Sequence, residues 1–124
     1  MKSNKGRGTS PELKVRAILR EIGFPGYRLN WAKAPGKPDI AYPGRKIAIF
    51  VNGCFWHRCP HCHPSMPAAH RDYWEEKFAR NVERDRRELA ELESEGWTVE
   101  VIWECELKDP EKVRARLIRL LDVD

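Results

Sequence analysis

Three of the four cysteines and three of the four histidines fall within one run, Asn52-Gly53-Cys54-Phe55-Trp56-His57-Arg58-Cys59-Pro60-His61-Cys62-His63. Thiolates and imidazoles at this density are metal-binding chemistry. Cys59-Pro60-His61-Cys62 is a C-x-x-C knuckle, whose tight turn lets two thiolates reach one ion, and Cys54, just upstream, can supply a third ligand. Cys105, in Trp103-Glu104-Cys105-Glu106, supplies the fourth if its strand lies beside this loop. Four thiolates close a tetrahedral zinc site with no open position; such a site is structural, and its binding energy becomes folding energy. The competing readings are His61 or His63 in place of one thiolate, a redox C-x-x-C, and four reduced cysteines without metal.

A second kind of chemistry is available close by. Asp39 is an oxygen ligand suited to Mg²⁺, which keeps several waters and needs only one or two protein carboxylates plus a substrate phosphate. A main-chain carbonyl near Val51 can add a ligand without requiring a particular side chain. His57 carries an imidazole able to take a proton from an attacking water. Metal-polarised phosphate with a histidine base makes a phosphodiester hydrolysis site. Without catalysis, Asp39 is a turn-stabilising aspartate after Pro38, and His57 a further zinc ligand or a solvated loop residue. Phe55, Trp56 and Trp74 can wedge between base pairs and unstack a step, or simply pack a small zinc subdomain.

The elements that must position these groups can be read from the pattern. Ser10-Pro11-Glu12 starts a helix with a cap, a first-turn proline and an acid at the positive end of the dipole. Leu13, Ala17, Leu19 and Ile22 give its apolar stripe, and Gly23 ends it. Arg28 to Trp31 forms a short strand, and Pro38 to Tyr42 another. Pro43-Gly44-Arg45 turns into the apolar strand Lys46 to Val51. Asp39 then sits near one end of a hairpin, with Val51 and Asn52 at the same end. The spacing predicts a long helix from Arg71 to about Glu95, with Phe78, Val82, Leu89 and Leu92 inward, Arg80, Arg84, Arg86 and Arg87 outward, and Gly96 as its cap. Trp97 to Trp103 reads as a strand that delivers Cys105, and Asp109-Pro110 opens a last helix with Val113, Leu117, Leu120 and Leu121 as its core face. A mixed sheet covered by helices, an α/β layered domain, follows from this order.

The 124-residue length predicts a single domain spanning 1–124, with residues 1–9 a flexible basic arm and 52–70 a zinc and aromatic loop. A hydrophobic fraction of 41% can build a core, and Lys and Arg exceed Asp and Glu by 23 to 19, which favours a polyanion partner only weakly. Nothing resembles a signal peptide or approaches membrane-spanning length, so a cytoplasmic protein without membrane association is expected. In that reducing compartment clustered cysteines more often bind metal than form disulfides.

Longer segments carry a resemblance. Phe50-Val51-Asn52-Gly53-Cys54-Phe55-Trp56-His57, Asp72-Tyr73-Trp74-Glu75-Glu76-Lys77, Asn81-Val82-Glu83-Arg84-Asp85-Arg86-Arg87, Gly96-Trp97 and Val101-Ile102-Trp103-Glu104-Cys105 follow one another in order. With Thr9-Ser10-Pro11-Glu12 and Gly36-Lys37-Pro38-Asp39 they resemble the very-short-patch-repair (Vsr) DNA mismatch endonucleases. The resemblance implies a restriction-endonuclease-like three-layer fold. It also implies a Mg²⁺-dependent nick in one strand of double-stranded DNA beside a T·G mismatch. Asp39 matches the metal-binding aspartate, Val51 the residue lending a main-chain oxygen to the metal, and His57 the catalytic histidine. Glu12 matches an acid associated with the active site. Phe55, Trp56 and Trp74 match the intercalating aromatics. Cys54 and Cys105 match zinc ligands, and Cys59 and Cys62 fit the variable middle of the zinc loop, with His61 as the alternative. A monomer associated with the nucleoid, working with other repair proteins, is the corresponding expectation.

This chain departs from the family pattern at Asn52, where histidine is frequent, in its cysteine-rich zinc loop, and in the short segment before Thr9, where a longer basic arm is common. The rival readings are a zinc-stabilised DNA-binding module without catalysis and a nuclease of the same fold with another specificity.

Overall fold

A computed structural model of the protein describes residues 10–121; the arm expected at 1–9 lies outside them. Helix α1 spans Ser10–Glu21 and is followed by the short strand β1, Arg28–Leu29. Strands β2, Ile40–Tyr42, and β3, Ile47–Asn52, form a hairpin, and β3 runs directly into a single helical turn, α2, Cys54–His57. The long helix α3, Arg71–Ser94, leads to β4, Thr98–Trp103. A 3-10 turn, Glu104–Lys108, joins β4 to the last helix α4, Pro110–Leu121. The described strands form one four-stranded sheet in the order β1-β2-β3-β4, antiparallel across the first two pairs and parallel between β3 and β4. Parallel neighbours need a long crossover, and α3 lies within it.

Side chains alternate across a strand, and β3 shows where the two cores sit. Ile47, Ile49 and Val51 face α1 and α4, joining Val15, Ile18, Leu19, Ile102, Val113, Leu117 and Leu121. Ala48 and Phe50 face the opposite layer, with Ala34, Leu92, Trp31, Trp97 and Val99. The result is three layers: α1 and α4, the mixed sheet, and α3. Among the described residues no helix is long and apolar enough to cross a membrane.

The helices and the hairpin expected from the pattern are present, with three informative differences. First, the predicted strand at 28–31 is regular only over Arg28–Leu29. Asn30 takes a left-handed φ of 49°, which turns the chain, although its N–H still reaches the Asp39 carbonyl at 3.0 Å and that of Trp31 reaches Pro38 at 3.1 Å. Second, α1 is rotated from the expected stripe. Leu13 is 46% exposed, whereas Glu12 is buried with Val15, Ile18 and Leu19. A carboxylate at a core position disguised the true face. Val82 on α3 is likewise exposed, while Phe78 and Leu92 are buried. Third, the 52–70 loop begins with α2, closed by His57 N–H on the Gly53 carbonyl at 3.2 Å.

Gly36 is required where it stands. Its φ is +76°, and a Cβ there would lie 3.2 Å from Glu88 Cβ and 3.3 Å from Phe50 Cζ. Backbone therefore packs directly on α3 and β3 just before Pro38-Asp39, which fixes the approach to β2. Leu117→Ala should lower stability by about 2–5 kcal/mol through lost burial and a cavity. Leu13→Ala should change it by no more than about 0.5 kcal/mol. Urea unfolding midpoints compare the two, and similar losses would contradict this assignment of faces.

Candidate active site

The site is built at the end of the sheet where β3 and β4 finish. Their parallel pairing runs from Ile47↔Thr98 to Asn52↔Trp103. Cys54 and Cys105 each follow the last pair by two residues, so the strand register itself brings them together. The one-turn α2 then reverses the chain, and Cys59 and Cys62 arrive beside them. One ligand atom from each of Cys54, Cys59, Cys62 and Cys105 lies within 4.8 Å of all the others. Cys59 Sγ and Cys105 Sγ are 3.7 Å apart. Tetrahedral zinc thiolates with bonds of about 2.3 Å require sulfur separations of about 3.8 Å, so the donor set fits that ion with small movements. All four cysteines are free thiols. The His61 ring is not part of this group; it packs beside Trp103 with 6.5 Å between ring centroids.

Two main-chain N–H groups face the sulfurs. Cys105 N–H points at Cys54 Sγ at 3.3 Å, and His61 N–H at Cys59 Sγ at 3.3 Å. Burial pushes the Cys54 and Cys105 thiols up from their ordinary values. A bound divalent cation reverses this, because a coordinating thiol is deprotonated. The turn that carries Cys105 is braced from α4. Glu106 accepts the Trp103 N–H at 2.8 Å and pairs with Arg116 at 2.8 Å, and Arg116 also donates to the Val101 carbonyl at 2.9 Å.

Asp39 stands at the start of β2. Its Oδ2 accepts the Val51 N–H at 2.8 Å. Because N–H and C=O of one strand residue point to the same edge, the Val51 carbonyl is turned toward the same side. Burial raises the Asp39 carboxyl to about 6, with the Val51 N–H opposing, the nearby Glu12 carboxylate adding and His57 opposing. Glu12 of α1 and His57 of α2 thus each lie within electrostatic reach of Asp39, which directly precedes β2. Glu12 is 2% exposed and held by Arg16 at 3.2 Å. Two carboxylates close together at a strand end offer the oxygen donors that a divalent cation takes.

His57, the last residue of α2, meets α3. Its Nδ1 lies 2.6 Å from Asp85 Oδ2. A carboxylate partner puts the proton on Nδ1 and leaves Nε2 as the acceptor. The sequence pattern gives Asp85 no role of its own, although it lies within the Asn81–Arg87 segment that carries the resemblance. A signal was present: Asp85 lies midway between the two buried residues Phe78 and Leu92, seven positions from each, on the inward stripe of α3. A carboxylate in an apolar stripe is a candidate for function.

The aromatic residues form one cluster over α2 and the start of α3. Phe55 and Trp56 are 5.0 Å apart by ring centroid, Trp56 and Trp74 are 5.9 Å apart, and Phe55 and Phe78 are 5.3 Å apart. Phe78 is buried, whereas Trp56 is 50% and Tyr73 56% exposed. Thus α2 divides its side chains: Cys54 turns to the sulfurs, His57 to Asp85, and Phe55 and Trp56 to the aromatic surface.

Buried carboxylates, a His–Asp pair and a sulfur cluster at one end of a mixed sheet are the kind of groups that metal-assisted hydrolases use. Comparison with known proteins narrows the class. The family model for the DNA mismatch endonuclease Vsr matches residues 1–63. A type II nicking enzyme from Xanthomonas oryzae, V.XorIIP, is 42% identical over 98% of this chain and 89% of its own length. Another from Neisseria meningitidis, V.NmeAIP, is 44% identical over 91% of this chain and 80% of its own. The Escherichia coli DNA mismatch endonuclease Vsr is 38% identical over 91% of this chain and 72% of its own length. The chain belongs to the Vsr family of DNA mismatch endonucleases.

The Asp39 environment has a measurable consequence. Its carboxyl titrates near 6, above the ordinary 3.8, so the folded state holds this proton more tightly than the unfolded chain. The associated stability is present below the ordinary value and is lost as pH rises through about 6. Without divalent cation, Asp39→Asn should be more stable than the parent at pH about 8, by about 1–3 kcal/mol. The advantage should shrink toward pH about 5. Equal stability across that range would contradict the buried, acid-flanked placement.

Proposed function

We propose that this protein is a Mg²⁺-dependent endonuclease that nicks one strand of double-stranded DNA beside a T·G mismatch, as in very short patch repair. In this reading it is one restriction-endonuclease-like domain spanning 1–124, acting as a monomer in the cytoplasm on nucleoid DNA, with a structural zinc at the four cysteines. The observation that supports this reading is Asp39 accepting the Val51 N–H at the end of β3, with His57 near enough to act electrostatically on Asp39. Family membership and relatives named nicking enzymes support DNA as the substrate.

Each residue has a role in this account. Mg²⁺, when bound, neutralises charge on the scissile phosphate. Asp39 and the Val51 carbonyl would hold that ion, and buried Glu12 adds negative charge beside Asp39. His57 Nε2 takes the proton of the attacking water as its oxygen bonds to phosphorus and the P–O bond to the leaving deoxyribose oxygen breaks, that oxygen taking a proton from solvent. Asp85 orients the imidazole and stabilises the imidazolium that forms. Phe55, Trp56 and Trp74 enter the base stack at the mismatch, where unstacking costs least. Asn52, at the last β3 pair, offers an amide in place of an imidazole and takes no proton.

A labelled T·G duplex, its fully paired counterpart and Mg²⁺ provide the test. The expected result is a nick in one strand of the mismatched duplex and little in the paired one. Asp85→Asn should slow that nick by about two to four orders of magnitude without weakening DNA binding. Tight binding with no nick would instead favour a zinc-stabilised binding module. Equal nicking of both duplexes would point to a nuclease of the same fold with another specificity.

A further inference from the structure

Arg58 is left without a role by everything described so far, yet it has more partners than any neighbouring side chain in its loop. It follows His57 and takes a left-handed φ of 54°. Its guanidinium carbon lies 4.3 Å from the ring centroid of Phe78 and 5.5 Å from that of Phe55. In the plane of the group, Nη2 donates to the Pro64 carbonyl at 2.6 Å and Nη1 to the Phe55 carbonyl at 3.3 Å. Both nitrogens also lie 3.4 Å from the Ser65 carbonyl. One planar cation therefore joins three segments: the turn α2, the return of the sulfur-bearing loop, and the buried ring of α3.

We propose that Arg58 is the positioning residue of the DNA wedge: it clamps Phe55 against Phe78 and thereby holds Trp56 outward in the orientation that enters the base stack. The inference rests on the wedge role assigned to Phe55, Trp56 and Trp74 above. Phe55 and Trp56 sit on a helix of a single turn, which has too few internal hydrogen bonds to hold its own orientation. Its position must come from what it packs on. On the sulfur side that is the cysteine cluster; on the aromatic side it is Phe78 and Trp74, with Arg58 laid across Phe55 and Phe78. A stacked, forked guanidinium satisfies ring faces and several carbonyls at once, which an ammonium does not. Both of its Nη groups already donate to main-chain oxygens, which ties the guanidinium to the loop. An exposed ring such as Trp56 enters a base step efficiently only if it is held ready, because ordering it on binding would cost affinity.

The test replaces Arg58 with Gly and with Lys. Glycine accepts the left-handed φ without strain, so Arg58→Gly removes the clamp and leaves the backbone path. Lysine keeps the charge and loses the plane. A T·G duplex carries 2-aminopurine beside the mismatch, and Ca²⁺ replaces Mg²⁺ so that binding is read without cutting. With the parent protein, fluorescence should rise as the base unstacks. Both variants should retain the parent's zinc content, bind the duplex within about fivefold of the parent, and lose most of the fluorescence rise. With Mg²⁺, their nicking of the mismatched duplex should fall about tenfold or more. Two results would overturn the inference while leaving the wedge intact: a full fluorescence rise in Arg58→Gly, or full recovery in Arg58→Lys, which would make Arg58 a charge contact only. No rise with the parent protein, or an undiminished rise in a Trp56→Ala variant, would overturn the wedge itself and this inference with it.

Discussion

The parallel pairing of β3 with β4 is the constraint on which the rest of the site depends. It is carried to Asn52↔Trp103, and two residues further along each chain stand Cys54 and Cys105. Residues some fifty positions apart become neighbours because two strands end together. The sulfur cluster then closes over that junction, and α2 is suspended between it and α3. A single helical turn has almost no stability alone. Fastened at Cys54 and Cys59, it can direct His57 to one side and Phe55 and Trp56 to another.

The carboxylates of the site share a pattern in how they enter the fold. Glu12 lies on the inward face of α1 with Val15 and Leu19, and Asp85 lies on the inward stripe of α3 between Phe78 and Leu92. Each is a carboxylate at a position where the helix would gain more from an apolar residue. Asp39 is buried enough to raise its carboxyl to about 6. Local rules are broken at the places where charge converges, as expected where stability is exchanged for chemistry.

Much of the architecture could be read directly. The apolar run at 47–51, the turn before it and the helix beginning at Ser10 are governed by short-range patterning, and they appear where expected. The C-x-x-C knuckle likewise reported the proximity of Cys59 and Cys62. Other features depend on tertiary placement. The face of α1 was misjudged because Leu13 is apolar but exposed and Glu12 is charged but buried. The helical turn at Cys54–His57 is too short for periodicity to reveal. The pairing of His57 with Asp85 joins two elements whose relative position is set only by the crossover, so no local signal pairs them. Which ligand completes the sulfur group was also undecidable from spacing, since His61 and Cys62 are adjacent; the chain path turns the Cys62 thiol inward and leaves the His61 ring on Trp103.

The central claim is that the sulfur cluster holds His57 in its working position against Asp85. Nitrogen-15 NMR of the His57 imidazole, recorded with metal bound and again after chelation under reducing conditions, tests it most directly. The account predicts a protected Nδ1–H signal in the metal-bound protein that disappears on chelation, while the amides of Ile40, Ile49 and Ile102 remain protected. Survival of the His57 signal after chelation, or its loss only together with those core amides, would contradict the claim.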